Sequence, residues 1–203
     1  MIFAVVPAAG KSARMGGAAK LALPFNDRTV MECALQGLRK GGADHLVVVI
    51  GPQHSELAAI ARRAEADICH LSQDTADMRE TVEHGLRWLE KRYGPGPSDA
   101  WLLVPGDHPL LGAEIVQQLC RLSTSRTDKS IFVPVHEGKR GHPVLIRWSH
   151  VSGIRAHPRG QGIDTFLRLH EDETLEVPAS VLVLADIDTP EDYDKLRTWD
   201  RHD

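Results

Sequence analysis

Lys11, Arg14 and Lys20 lie in a run of small residues, Val6-Pro-Ala-Ala-Gly-Lys-Ser-Ala-Arg-Met-Gly-Gly-Ala-Ala-Lys20, directly behind an apolar stretch. Small side chains let backbone N–H groups come close to phosphate oxygens. Attack at phosphorus is accelerated mainly by positioning and charge neutralisation, so cations beside such a loop suit a nucleoside triphosphate. On this reading Ala8, Ala9, Gly10, Lys11 and Ser12 hold the nucleotide, with Arg14 and Lys20 as the catalytic cations. The segment is not a P-loop: with Gly10-Lys11-Ser12 as its end, the pattern requires a glycine where Val5 stands. The G-x-G-x-x-G fingerprint is also absent, which removes the best sequence reason to expect NAD.

Carboxylates supply the second half of the chemistry. Asp107 follows the apolar run Trp101–Val104 and the turn Pro105-Gly106, where open α/β sheets bind ligands at strand carboxyl ends. Magnesium takes hard oxygen ligands and commonly needs only one or two carboxylates plus substrate phosphates, so Asp107 can begin an Mg²⁺ site. Asp186 and Asp188 occupy alternate positions after Val181–Ala185; Asp188 is the favoured second ligand, although either can instead serve the helix start beside Thr189. Gly138-Lys-Arg-Gly-His-Pro143 gathers cations, glycines and a histidine in one turn, which suits an anionic acceptor. The other histidines lack ligand spacing such as H-x-x-x-H on one helix, so surface or core roles are expected of them.

Short apolar runs alternating with amphipathic stretches must position these residues, which is the pattern of βαβ units around a mostly parallel sheet. Strands are expected near Ile2–Val6, His45–Ile50, Asp67–Leu71, Trp101–Val104, Ser130–Val135, Pro143–Arg147 and Val181–Ala185. Helices are expected near Thr29–Arg39, Gln53–Ala64, Arg79–Lys91, Ala113–Leu122 and Pro190–Trp199, the last with Thr189 as N-cap and acidic residues in its first turn. The fold class is α/β, and 203 residues fit one domain spanning positions 1–203.

A net charge of −4 with scattered Lys and Arg argues against nucleic-acid binding. The separated Cys33, Cys69 and Cys120 form neither a disulfide framework nor a zinc motif. The opening Met-Ile-Phe-Ala-Val-Val is too short for a signal peptide or membrane span, so a cytoplasmic location is expected, without membrane association.

Ala8-Ala-Gly-Lys-Ser-Ala-Arg-Met-Gly16 followed by Lys20-Leu-Ala-Leu-Pro24 resembles the signature of the MobA-like nucleotidyltransferases, especially the molybdenum cofactor cytidylyltransferases. The resemblance continues through Asp107-His-Pro-Leu-Leu111, Arg140-Gly-His-Pro-Val144 and Asp186-Ile-Asp-Thr-Pro-Glu-Asp192, in the expected order. It implies a Rossmann-like three-layer fold of the nucleotide-diphospho-sugar transferase type. It also implies transfer of a nucleoside monophosphate, CMP from CTP, onto a phosphate-bearing acceptor, molybdopterin cofactor, with release of pyrophosphate. Mg²⁺ on Asp107 and Asp188 is part of that expectation, as is transient contact with a molybdoenzyme. Met78-Arg-Glu-Thr81 before Gly85 resembles the family's Met-x-x-Ser-x-x-x-Gly segment, with Thr81 in the place of Ser. By resemblance, Arg79, Thr81, His108, Arg140, Gly141 and His142 are the acceptor-side residues. His108 stands where commoner members have Gln, which leaves the acceptor contacts of that turn open. Alternatives are an isoprenoid cytidylyltransferase, a guanylyl or sugar-phosphate transferase, and a nucleotide-binding or cofactor-delivery protein without turnover.

Overall fold

A computed structural model describes residues 1–10 and 20–199. Its first strand, β1 (Ile2–Ala8), divides its side chains between two apolar clusters: Ala4, Val6 and Ala8 join one, Phe3 and Val5 the other. This alternation, with nearly every residue buried, marks a strand covered on both faces. β4 (His45–Ile50) and β6 (Ala100–Leu103) flank β1 in parallel register and divide their side chains in the same way.

The remaining elements complete a three-layer α/β sandwich. A two-stranded antiparallel ribbon, β2 (Pro24–Phe25) with β3 (Arg28–Thr29), leads into α1 (Val30–Lys40). Thr29 and Glu32 close a capping box at that helix start, satisfying orphan N–H groups. Next come α2 (Ser55–Arg63), β5 (Asp67–His70), α3 (Met78–Tyr93) and α4 (Ala113–Ser125). β7 (Ile131–His136), β8 (Lys139–Arg140) and β9 (Val144–Arg147) follow, then α5 (Val151–Ala156), α6 (Ile163–Arg168), β10 (Thr174–Pro178) and α7 (Pro190–Arg197). The main sheet runs β10-β7-β9-β6-β1-β4-β5, with β8 paired to β7. β9 is antiparallel to both of its neighbours, β6 and β7, while the other pairs along that path are parallel.

Strand order fixes the ligand crevice. From β1 the chain moves outward to β4 and β5, then returns to the other side of β1 as β6. Connections leaving neighbouring strands in opposite directions open a crevice at their carboxyl ends, here between β1 and β6.

One expectation needs correction. Val181–Leu184 is a 3₁₀ turn rather than a strand: Ala185 N–H donates to the Leu182 carbonyl at 3.2 Å, and Val183 is buried beneath the loop before β9. The edge strand is instead Thr174–Pro178, in which Glu176 and Pro178 are exposed. The short helices α5 and α6 were also not expected from the sequence. Thr189 does cap α7, in a capping box with Asp192 and with Pro190 in the first turn.

Candidate active site

The crevice is a cleft of about 590 Å³ lined by Pro7–Gly10 at and just after the end of β1, by Pro105–Asp107 from the loop after β6, and by Lys20, Thr81 and Asp188. Its floor is an ionic knot. Lys20, opening a 3₁₀ turn over Lys20–Ala22, donates to Asp107 Oδ2 at 2.6 Å, to Asp188 Oδ1 at 3.2 Å and to the Ile187 carbonyl at 2.7 Å. Three segments distant in sequence thus meet on one ammonium group. Burial acts to lower the Lys20 pKa, but Asp107 and Asp188 outweigh it and hold the group above its usual value.

The carboxylates remain rich in negative charge. Asp107 Oδ1 is buried and has no hydrogen-bond partner among the described residues. Desolvation, then the charges of Asp107 and Asp188, push the Asp186 pKa upward. A buried, unpartnered carboxylate oxygen beside further carboxylates is the donor set a hard divalent cation takes, so Asp107 and Asp188 fit the expected metal.

Beneath Asp107 lies a histidine pair. His108 and His142 stand ring to ring at 5.1 Å, and His142 Nδ1 donates to the Leu103 carbonyl at 3.3 Å. Burial, then the charge of His108, lowers the His142 pKa to about 4; burial likewise lowers that of His108. Both are therefore neutral at neutral pH. They pack behind the carboxylate floor and do not line the cleft.

Of the expected nucleotide-side residues, Ala8, Ala9, Gly10 and Lys20 line the cleft, while Lys11, Ser12 and Arg14 lie outside the described residues. On the acceptor side only Thr81 reaches it, donating to the Asp77 carbonyl at 3.2 Å and lying 2.6 Å from the Thr75 hydroxyl. Arg79 turns inward: its buried guanidinium donates to the carbonyls of His157, Pro158 and Gln161 at 3.0, 2.8 and 3.0 Å. Those bonds hold the loop between α5 and α6 and leave Arg79 off the cleft wall. Arg140 pairs with Glu176 at 3.0 Å on the β10 edge, also off the cleft. Gly141 is a packing residue: a Cβ there would sit 2.4 Å from the Val183 carbonyl oxygen. Sequence reasoning missed Asp74, Thr75 and Asp77, polar cleft residues before and at the cap of α3, because no spacing distinguishes them from an ordinary polar loop.

A parallel-rich α/β sheet with a lysine–carboxylate floor at its switch point has the form of a ligand-binding α/β protein. The chain belongs to the MobA-like NTP transferase domain family, which matches it over residues 4–175. It is 24% identical over 190 residues to the molybdenum cofactor cytidylyltransferase of Escherichia coli K12, covering 93% of this chain and 92% of that protein. It is 27% identical over 208 residues to the purine catabolism protein PucB of Bacillus subtilis, covering 97% and 96%. Rv0371c of Mycobacterium tuberculosis shares the fold with a TM-score of 0.79 at 24% identity, covering 98% and 97%, and that protein has also been solved in complex with manganese. Among the described residues no helix is long and apolar enough to cross a membrane.

Proposed function

We propose that this nucleotidyltransferase moves CMP from CTP onto the terminal phosphate of molybdopterin cofactor, releasing pyrophosphate, with Mg²⁺ held by Asp107 and Asp188. The observation that carries the reading is Lys20 bound at once to Asp107 and Asp188 at the mouth of β1. The E. coli cytidylyltransferase relative and the Lys20-Leu-Ala-Leu-Pro24 and Arg140-Gly-His-Pro-Val144 segments favour CTP and the molybdenum cofactor. The manganese complex of Rv0371c supports a divalent cation.

An acceptor phosphate is already an anionic nucleophile, so the chain needs no general base. Its oxygen bonds to the α-phosphorus while the bond to the α–β bridging oxygen breaks, and pyrophosphate departs with that electron pair. The Ala8–Gly10 backbone orients the triphosphate, and Lys20 and Arg14 offset charge as it grows on the leaving group; a preorganised contact of this kind contributes about 3 kcal/mol. A divalent cation on Asp107 and Asp188 would screen the polyphosphate and polarise the α-phosphorus. Asp107, anchored by Lys20 through one oxygen, keeps the other available for that cation.

The test is pyrophosphate release from CTP, GTP, ATP and UTP with Mg²⁺, with and without molybdopterin cofactor. Acceptor-dependent release with CTP alone is expected. Release confined to GTP or to another acceptor would refute the substrate pair while leaving the transfer chemistry intact.

A further inference from the structure

At the end of the sheet opposite the cleft, a histidine–glutamate cluster belongs to no part of this chemistry. Asp107 follows the last residue of β6, whereas Ser130 precedes the first residue of β7, which runs parallel to β6 because both are antiparallel to β9. His150, His170 and Glu173 gather beside Ser130 at that amino-terminal edge. We propose that these three residues form a second metal site, built for a divalent transition metal of the zinc class.

The geometry carries the assignment. One ligand atom from each residue lies within 4.8 Å of the other two. Zinc bonds of about 2 Å place ligand atoms about 3–4 Å apart, so a small rotation of the exposed Glu173 and half-buried His170 side chains closes the set. His170 Nδ1 donates to the Phe166 carbonyl at 2.8 Å, which fixes the tautomer that leaves the Nε2 lone pair for a metal. Phe166 stacks on the same ring at a centroid distance of 4.1 Å and restrains its plane. Ser130 Oγ donates to Glu173 Oε2 at 2.8 Å and accepts from His150 Nε2 at 2.7 Å, gathering the other two groups, so a metal on His150 Nε2 would take the place of its proton. Two imidazoles and one carboxylate, with Glu173 half exposed, make a set that zinc takes with water in the remaining position. The ligands come from the turn before α5 and from the connection between α6 and β10, so a bound ion would tie these segments to the start of β7.

The experiment is titration of the full-length protein with Zn²⁺ against a chromophoric chelator, and with Co²⁺ followed by visible absorption. The Asp107→Asn/Asp188→Asn double variant, which lacks the proposed cleft site, is expected to bind one equivalent and wild type at least one, with Co²⁺ d–d bands typical of low-coordinate nitrogen and oxygen ligands. His170→Ala should weaken Zn²⁺ at least about tenfold and lose those bands, and Glu173→Gln, altering an exposed side chain that leaves folding intact, should weaken it as well. Zn²⁺ should also raise Tm in wild type and not in His170→Ala. Absence of stoichiometric binding, binding indifferent to both His170→Ala and Glu173→Gln, or binding lost only in the Asp107/Asp188 variant would overturn the proposal.

Discussion

The Ile187 amide donates to the Asp107 carbonyl at 3.1 Å, joining the loop after β6 to the loop before α7 at the point where each carries a carboxylate of the cleft. Lys20 reinforces this joint by binding the Ile187 carbonyl as well as both aspartates. The distance between Asp107 and Asp188 is thus set by main chain and by one ammonium, rather than by the two side chains themselves.

Lys20→Met is therefore expected to cut kcat by about 10²–10³-fold, the cost of removing a preorganised contact to developing charge. Lys20→Arg should not rescue it, because the gap between two carboxylates suits a compact ammonium rather than a planar fork. Steady-state pyrophosphate release measures both; an arginine variant with wild-type kcat would refute the geometry.

Arg79→Met is expected to lower stability by about 3 kcal/mol, since three carbonyls lose a buried charged donor. The KM for the acceptor should stay at the wild-type value, as Arg79 does not line the cleft. Chemical denaturation with parallel kinetics checks the pair of outcomes. A raised acceptor KM at unchanged stability would restore Arg79 to the acceptor side.

Gly141→Ala places a methyl 2.4 Å from the Val183 carbonyl oxygen and 2.7 Å from its Cγ2. The Val181–Leu184 turn must move, and with it the segment leading to Asp188. A loss of about 1–3 kcal/mol is expected, accompanied by a weaker Mg²⁺ dependence of turnover. Thermal denaturation and a metal titration of activity report the two effects separately.

Acid should destabilise the protein through His142. Its folded pKa of about 4 lies below the ordinary value of 6.5, so between those limits the unfolded chain binds a proton that the folded one refuses. This contribution is complete above about pH 6.5 and is lost as pH falls toward 4, on the order of 3 kcal/mol in all. His142→Gln should flatten the stability profile across that window; an unchanged slope would show that His142 is not the group responsible.

The sequence reveals the cleft better than its surroundings. Ala8–Gly10 and Asp107 meet because they follow β1 and β6, whose carboxyl ends share one edge of the sheet, whereas Lys20 and Asp188 reach the same cleft from a 3₁₀ turn and from the loop before α7. The acceptor-side residues are less legible. Arg79 and Arg140 look alike as cations near glycines, yet one braces a buried loop and the other pairs with Glu176 on an edge strand. Val181–Leu184 reads as a strand because its residues are apolar and half of them are β-branched, but its carbonyl at Val183 bonds His142 in a loop instead of a neighbouring ladder. Thr174–Pro178 escapes notice because an edge strand needs only one apolar face and tolerates Pro178 at its end. The His150–His170–Glu173 cluster is invisible to a spacing search, since His150 arrives from a separate turn.

The most direct test of the account is pyrophosphate release from CTP and molybdopterin cofactor by wild type and by Asp107→Asn at saturating Mg²⁺. The account predicts acceptor-dependent release by wild type and a loss of at least about 10²-fold in the variant, with the fold retained by circular dichroism. Wild-type rates in Asp107→Asn would contradict it, because the proposed cation site depends on that carboxylate.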